Sequence, residues 1–191
     1  MLVPVACSGS HVGYGTVRLE PTWLQIGESA GYAAALAADR GLPPAELDVT
    51  TLQRTLAEAQ SRLTFFSDSV PGDDEWSAAI QFCGTKGFFA GFNAQPDTWL
   101  DAKTARVWAE TAASVLTGDI DGTAAARKLT DRGDDPVTAR RFAELIARAS
   151  DRSNVSVSGI LDSVPAAPDT RITRRTACQI VYEFTGDQAE R

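Results

Sequence analysis

Ser8-Gly-Ser-His-Val-Gly-Tyr-Gly-Thr-Val-Arg-Leu-Glu-Pro21, followed closely by Ile26-Gly-Glu-Ser-Ala-Gly31, is the stretch on which the reading of this chain turns. It joins a polar, glycine-bearing loop with the only histidine of the chain, His11, and then opens an alanine-rich segment. Glycine lets a backbone approach a ligand closely and adopt positive φ, and a helix N-terminus offers free N–H groups and partial positive charge. Together they form a floor suited to an anionic or electron-rich cofactor.

Length and composition bound what surrounds this stretch. At 191 residues the chain has room for one or two small domains, and 43% hydrophobic with 23% charged residues is ordinary for a globular protein. A net charge of −7 argues against nucleic acid or an anionic membrane surface as the main partner. No apolar run reaches the roughly 18–20 residues that a membrane span needs. The start, Met1-Leu-Val-Pro-Val-Ala-Cys7, lacks the basic start and long apolar core of a signal peptide. Cys7, Cys83 and Cys178 are widely separated and form no metal or disulfide pattern, so they read as small apolar residues.

The opening stretch resembles the C-terminal end of the cofactor domain in a large family of bacterial FAD-dependent oxidoreductases. Their closing pattern runs roughly Pro-x-x-x-Ser-x-Thr-His-Val-Ala, then Arg-x-Glu-Pro, then Gly-Gln-Ala-Ala-Gly-x-Ala-Ala. Pro4, Ser8, Ser10, His11, Val12, Arg18, Glu20, Pro21, Gly27, Ala30, Gly31, Ala33 and Ala34 match or nearly match it. The departures are Ser10 for Thr, Gly13 for Ala, and Glu28-Ser29 for Gln-Ala. The resemblance implies FAD as cofactor, with Ser10, His11, Arg18, Glu20, Gly27, Ser29, Ala30 and Gly31 at its site. It assigns no catalytic residue and no metal ligand.

Flavin domains of this kind begin with a strand and a Gly-x-Gly-x-x-Gly turn that holds the pyrophosphate. The chain has no such turn. It reads as the C-terminal fragment of an oxidoreductase, with the N-terminal part of the flavin domain as its missing partner and no activity of its own expected.

Local patterns give the rest of the first unit, expected at residues 1–62. Leu2 to Cys7 reads as a short strand and residues 8–21 as a loop. A helix follows from Thr22 or Gly27 to Asp39, stopped by Gly41 and Pro43-Pro44. Its alanines leave it almost no bulky side chains, which suits close packing on another element. Asp48 can cap a further helix with Val49, Leu52, Leu56 and Leu63 at helical spacing.

From residue 63 to 191 the pattern is one of short helices. Trp76, Ala79, Ile80 and Cys83 share a face, and Lys86-Gly87 ends that helix. Phe88-Phe89, Gly91 and Phe92 form an aromatic turn. Asp101 can cap a helix with Ala105, Trp108, Ala109, Ala112 and Val115-Leu116 inward, and Asp135–Ile146 gives another of the same type. Two segments recur: Asp68-Ser-Val-Pro71 as Asp162-Ser-Val-Pro165, and Pro96-Asp-Thr-Trp-Leu-Asp-Ala-Lys-Thr-Ala105 as Pro168-Asp-Thr-Arg-Ile-Thr-Arg-Arg-Thr-Ala177.

Residues 65–117 resemble an S-layer homology module, whose pattern is Phe-x-Asp-Val, Trp-x-x-x-Ala-Ile, a glycine turn, then Leu-Thr-Arg-Ala-Glu. Phe66, Asp68, Val70, Trp76, Ala79, Ile80, Gly87, Gly91 and Leu100 match, whereas Asp101-Ala-Lys-Thr104 replaces the Thr-Arg-Ala-Glu portion. Only Ile172-Thr173-Arg174 keeps the start of that motif. The resemblance implies cell-wall polymer as a partner, giving an alternative function as a helical polysaccharide or protein attachment module without catalysis.

The fold class expected is therefore mainly α: a short remnant of an α/β FAD-binding domain (strand, loop, alanine-rich helix) followed by a helical module. Several candidate sites have competing structural readings. Arg18 and Glu20 could simply pair and brace the loop, and Gly27 and Gly31 could serve helix packing alone. Glu28 suits an electron-rich site poorly unless it is paired. Gly118-Asp-Ile-Asp-Gly122 has the look of a calcium loop but lacks the further oxygen ligands, so a polar turn is the better reading. Ser8 or Ser10 beside His11 has no nucleophile elbow around it. Trp76, Phe88, Phe89, Phe92 and Trp99 could form a sugar-stacking surface, although core packing is the better reading of such aromatics.

Overall fold

A computed structural model describes residues 2–118, 122–129, 135–150, 155–164 and 166–189. The described residues are mainly helical and contain no sheet. They divide into two compact units, Met1–Ala59 and Gln60–Arg191.

The first unit has three α-helices: α1 (His11–Val17), α2 (Glu20–Arg40) and α3 (Val49–Glu58). Leu2 to Cys7 is not the expected strand. It makes a turn at Pro4-Val5, closed by the Ala6 N–H donating to the Val3 carbonyl at 3.0 Å. Pro4 offers no ladder donor, and no strand among the described residues pairs with it. The expected loop at 8–21 instead contains α1. Its N-cap is Ser10, whose Oγ accepts the Gly13 N–H at 3.1 Å. No residue of α1 is buried; its own hydrogen bonds and a light contact with α2, including the Thr22 hydroxyl donating to the Thr16 carbonyl at 3.3 Å, hold it.

α2 starts earlier than expected, because Pro21 fits the first helical turn, where its missing N–H costs nothing. It ends where Gly41 adopts the left-handed conformation, φ 63°, and donates to the Ala37 and Ala38 carbonyls. A 3-10 turn (Pro44–Glu46) then leads to Asp48, which caps α3 by accepting the Thr51 N–H at 2.6 Å. α2 packs on α3 and on this turn, burying Ala33 and Ala37.

The second unit holds six helices among its described residues: α4 (Ser77–Thr85), α5 (Ala102–Thr117), α6 (Gly122–Arg127), α7 (Ala139–Ser150), α8 (Val157–Asp162) and α9 (Arg174–Ala189). They alternate short and long. The long helices α5, α7 and α9 pack on one another around Trp108, Ala112, Phe142, Ile146, Ile180 and Val181, all buried. Each long helix opens from an extended residue, and these three residues close a ring of backbone hydrogen bonds. Leu100 donates to the Ile172 carbonyl at 2.9 Å, Ile172 to Val137 at 3.1 Å, and Val137 to Leu100 at 2.9 Å.

The short helix α4 packs on α9, α8 on α7, and α6 on α5. The helix starts close a second ring of backbone hydrogen bonds, which runs in the opposite sense. The first N–H groups of α9, from Arg174 and Arg175, donate to the Thr98 and Pro96 carbonyls. Those of α7, from Ala139 and Arg140, donate to Thr170 and Pro168. The Ala102 N–H at the start of α5 donates to Asp135. The two Pro-Asp-Thr copies thus have one job, satisfying the unpaired N–H groups at the start of a neighbour's helix. The Asp-Ser-Val-Pro copies do not correspond: Asp68 lies before α4, whereas Asp162 ends α8. Pro165 and the centre of the Gly118–Gly122 segment lie outside the described residues.

Candidate functional site

The residues singled out for a flavin fall on two helices and more than one face. Ser10 caps α1, His11 is its first residue and Arg18 its C-cap, and all three are exposed. Glu20 is the first residue of α2 and is exposed. Arg18 and Glu20 form no ion pair with each other among the described residues, so mutual bracing does not account for them.

Gly27 and Gly31 are not at a helix start. They lie in the second and fourth turns of α2, where their N–H groups belong to the helix ladder. The free N–H groups are at Glu20, beside a carboxylate that disfavours an anion. At about 100° per residue, Glu20, Leu24, Gly27 and Gly31 share one face. That face points away from α3: Leu24 is 75% exposed, and a Cβ built on Gly27 or Gly31 meets nothing within 4 Å. Ser29 lies on another face and donates its hydroxyl to the Gln25 carbonyl at 3.0 Å, while Ala30 is half-buried. The Glu28 carboxylate is paired, accepting from Gln25 Nε2 at 2.8 Å.

By itself this arrangement does not fit FAD. The open face of α2 carries apolar and small residues with one carboxylate, and no donor set converges there on a pyrophosphate or a ring edge. What it presents is a smooth strip on which a backbone can lie closely.

The second unit carries a cleft of about 190 Å³, lined by Phe88, Phe89, Ala90, Gly91, Phe92, Asn93, Gln95, Thr104, Leu129 and Arg174. Its wall is the aromatic turn after α4. Phe88 is fully buried and stacks edge-on against Trp108 at 5.4 Å, so it belongs to the core. Phe92, by contrast, is 74% exposed.

The turn is held from both sides. The Asp68 carboxylate accepts the Ala94 and Gln95 N–H groups, each at 2.8 Å, which fixes Gln95 in positive φ (52°). The Ser67 N–H donates to the Phe92 carbonyl at 2.8 Å. From the other side Arg174 donates to the Ala94 carbonyl at 3.4 Å and to Gln95 Oε1 at 3.3 Å, and lies 6.0 Å from the Trp108 ring centroid. Asn93, Gln95 and Thr104 had given no signal in the sequence. The signal that points to the cleft is Arg174 itself, the only arginine among Ala102, Ala139 and Arg174, the equivalent first residues of the three long helices.

Among the described residues no helix is long and apolar enough to cross a membrane. No curated protein and no solved structure matches the chain. Residues 1–56 match the family model of FAD dependent oxidoreductases, and that match covers the first unit, the one that holds the open face of α2.

Proposed function

We propose that the first unit is the closing piece of an FAD-dependent oxidoreductase, in which the Glu20–Gly31 face of α2 lies against an α/β segment that holds the flavin. The observation that carries this is the family match over residues 1–56, and the open Gly27–Gly31 strip gives it a physical form. When bound, FAD supplies the electron-transfer chemistry. What this chain's own residues contribute is packing on that segment, with Ser10, His11 and Arg18 carried beside the joint on α1.

The test is complementation. The purified chain is mixed with the flavin-binding segment of an FAD-dependent oxidoreductase truncated before its closing helix, and retained flavin is read by absorbance after gel filtration. Recovery of bound flavin supports the reading. Failure of the wild-type chain to restore any flavin retention overturns it.

A second reading concerns the second unit: an attachment module that takes an acidic cell-wall saccharide in the Arg174 cleft. Its support is the convergence of one guanidinium, two amide side chains, a hydroxyl and aromatic faces on a small polar cleft, together with the S-layer homology resemblance of residues 65–117. An arginine provides a fixed charge and planar donors for a carboxylate or phosphate. A pull-down on purified cell-wall polymer that retains nothing would remove this role.

A further inference from the structure

The cleft is too small for more than one sugar. At about 190 Å³ it falls below the roughly 300–1,000 Å³ of pockets that enclose a drug-sized ligand. Anything longer than a single ring must run out over the rim.

That rim is built of two exposed phenylalanines. Phe92, 74% exposed, lines the cleft and also stands at its edge, and Phe65, 56% exposed, meets it edge-on at 6.0 Å with 71° between the ring planes. The Arg62 guanidinium lies 5.8 Å from the Phe65 centroid. The backbone beneath the pair is fixed by the Ser67–Phe92 and Asp68–Gln95 hydrogen bonds, and Ser67 Oγ also donates to Asn93 Oδ1. Two large apolar rings are thus held in water on a rigid frame, an arrangement that loses the burial such side chains usually gain.

The size of the patch decides what covers it. Two phenylalanines offer at most about 500 Å², at 150–250 Å² each. A stable contact between proteins needs roughly 800 Å² per partner. A short ligand with flat apolar faces and polar edges is covered by this patch alone, whereas a second copy of the chain would need further surface around it. Arg62 by Phe65, together with the Arg174 side chain that lines the cleft while its donors hold the Ala94 carbonyl and Gln95 Oε1, favours an anionic ligand against the net charge of −7.

We propose that Phe92 and Phe65 form a second subsite continuous with the Arg174 cleft, on which the next ring of an acidic oligosaccharide stacks. The inference rests on reading the cleft as a saccharide site. It makes affinity depend on chain length, through a residue, Phe65, that does not line the cleft.

The experiment titrates the full chain with glucuronate and with hyaluronan oligosaccharides of two and four sugars, which alternate glucuronate with N-acetylglucosamine, by saturation-transfer NMR and calorimetry. For wild type the tetrasaccharide binds about tenfold tighter than glucuronate, which is one ring's worth of stacking. Phe65→Ala collapses that ratio towards one, Phe65→Trp restores it, and Arg174→Gln weakens binding of all three probes. Near-UV circular dichroism shows that each variant is folded.

A wild-type ratio near one, or a ratio unmoved by Phe65→Ala, overturns the second subsite while leaving the cleft. Absence of binding by any probe, or an Arg174→Gln variant that binds like wild type, overturns both. Phe65→Ala converting a dimer to a monomer in sedimentation, with the ratio unchanged, also overturns the subsite and assigns the patch to contacts between copies.

Discussion

The carboxylate of Asp68 accepts the backbone N–H of Gln95 at 2.8 Å, across a sequence separation of 27 residues. A second bond, from Ala94, reaches its other oxygen. Together they hold the aromatic turn against the segment before α4. Asp68→Ala leaves Gln95 in positive φ without its anchor, and we expect a loss of about 1–2 kcal/mol in urea unfolding, since Asp68 is exposed and water replaces part of the interaction. Asp68→Asn keeps one acceptor and loses less. Equal stability of wild type and the alanine variant would show that the turn holds without the carboxylate.

Gln81 does a similar job from inside. It is fully buried, and its Oε1 accepts both the Leu63 and Thr64 N–H groups, at 2.9 and 2.8 Å. Gln81→Leu keeps much of the volume and strands two backbone donors, so it costs about 2–4 kcal/mol. Equilibrium denaturation reads this directly. A loss below about 1 kcal/mol would mean that water reaches those amides.

The two basic residues that follow the ring differ in burial. Arg175 has a side chain only 26% exposed and pairs with Asp97, with Asp74 at 3.7 Å. Arg140 is 49% exposed and meets Asp169 at 3.0 Å, a hydrogen bond that, with the Asp169 charge, raises its pKa further. Arg175→Ala is expected to cost more, about 1 kcal/mol, because it removes a largely buried guanidinium shared by Asp97 and Asp74. Arg140→Ala is expected to cost less, because water screens the exposed pair. Chemical denaturation of the two variants should preserve that order at low salt and high salt alike.

Gly84 has no room for a side chain. A Cβ there would lie 2.6 Å from Thr64 Oγ1 and 2.8 Å from Thr64 Cβ. Gly84→Ala therefore costs about 1–3 kcal/mol, and adding Thr64→Ala removes most of that cost. Strict additivity in the double-mutant cycle would refute the clash.

Gly27 and Gly31 make the opposite case, with open space at each. Alanine at either should stabilise α2 in the isolated chain by about 0.5–1 kcal/mol, since glycine is a poor helix former and nothing blocks the methyl group. The same changes should weaken flavin recovery in the complementation experiment, because the strip no longer accepts a closely lying backbone. Stabilisation without weakened complementation would mean that this face is not the joint.

How much of this was legible in the sequence depends on where the information lies. The caps at Asp48 and Asp101 and the stops at Gly41 and Lys86-Gly87 are local chemistry, and each sits where the residues place it. α1 was hidden because Gly13 and Gly15 lower helix propensity, while the Ser10 cap that offsets them is one side chain. α8 was hidden by its length, Val157–Asp162 being too short to show a period. The strand at Leu2–Cys7 failed because a strand is a property of a sheet, and the hydrophobic run alone supplies no neighbour. The cleft was half visible: Arg174 stood out, whereas Asn93, Gln95 and Thr104 meet it only through contacts distant in sequence. The repeated Pro-Asp-Thr was visible as text, and its use became plain only once the helix starts it serves were located.

The directional ring of Leu100, Val137 and Ile172 makes the second unit a closed count. Each of the three gives one hydrogen bond forward and receives one from behind, so removing a member leaves a donor and an acceptor facing across a gap that the other two cannot span. Duplication of one segment would not lengthen such an assembly, and loss of one would not shorten it. Its size is fixed at three, as the number of legs fixes a stool.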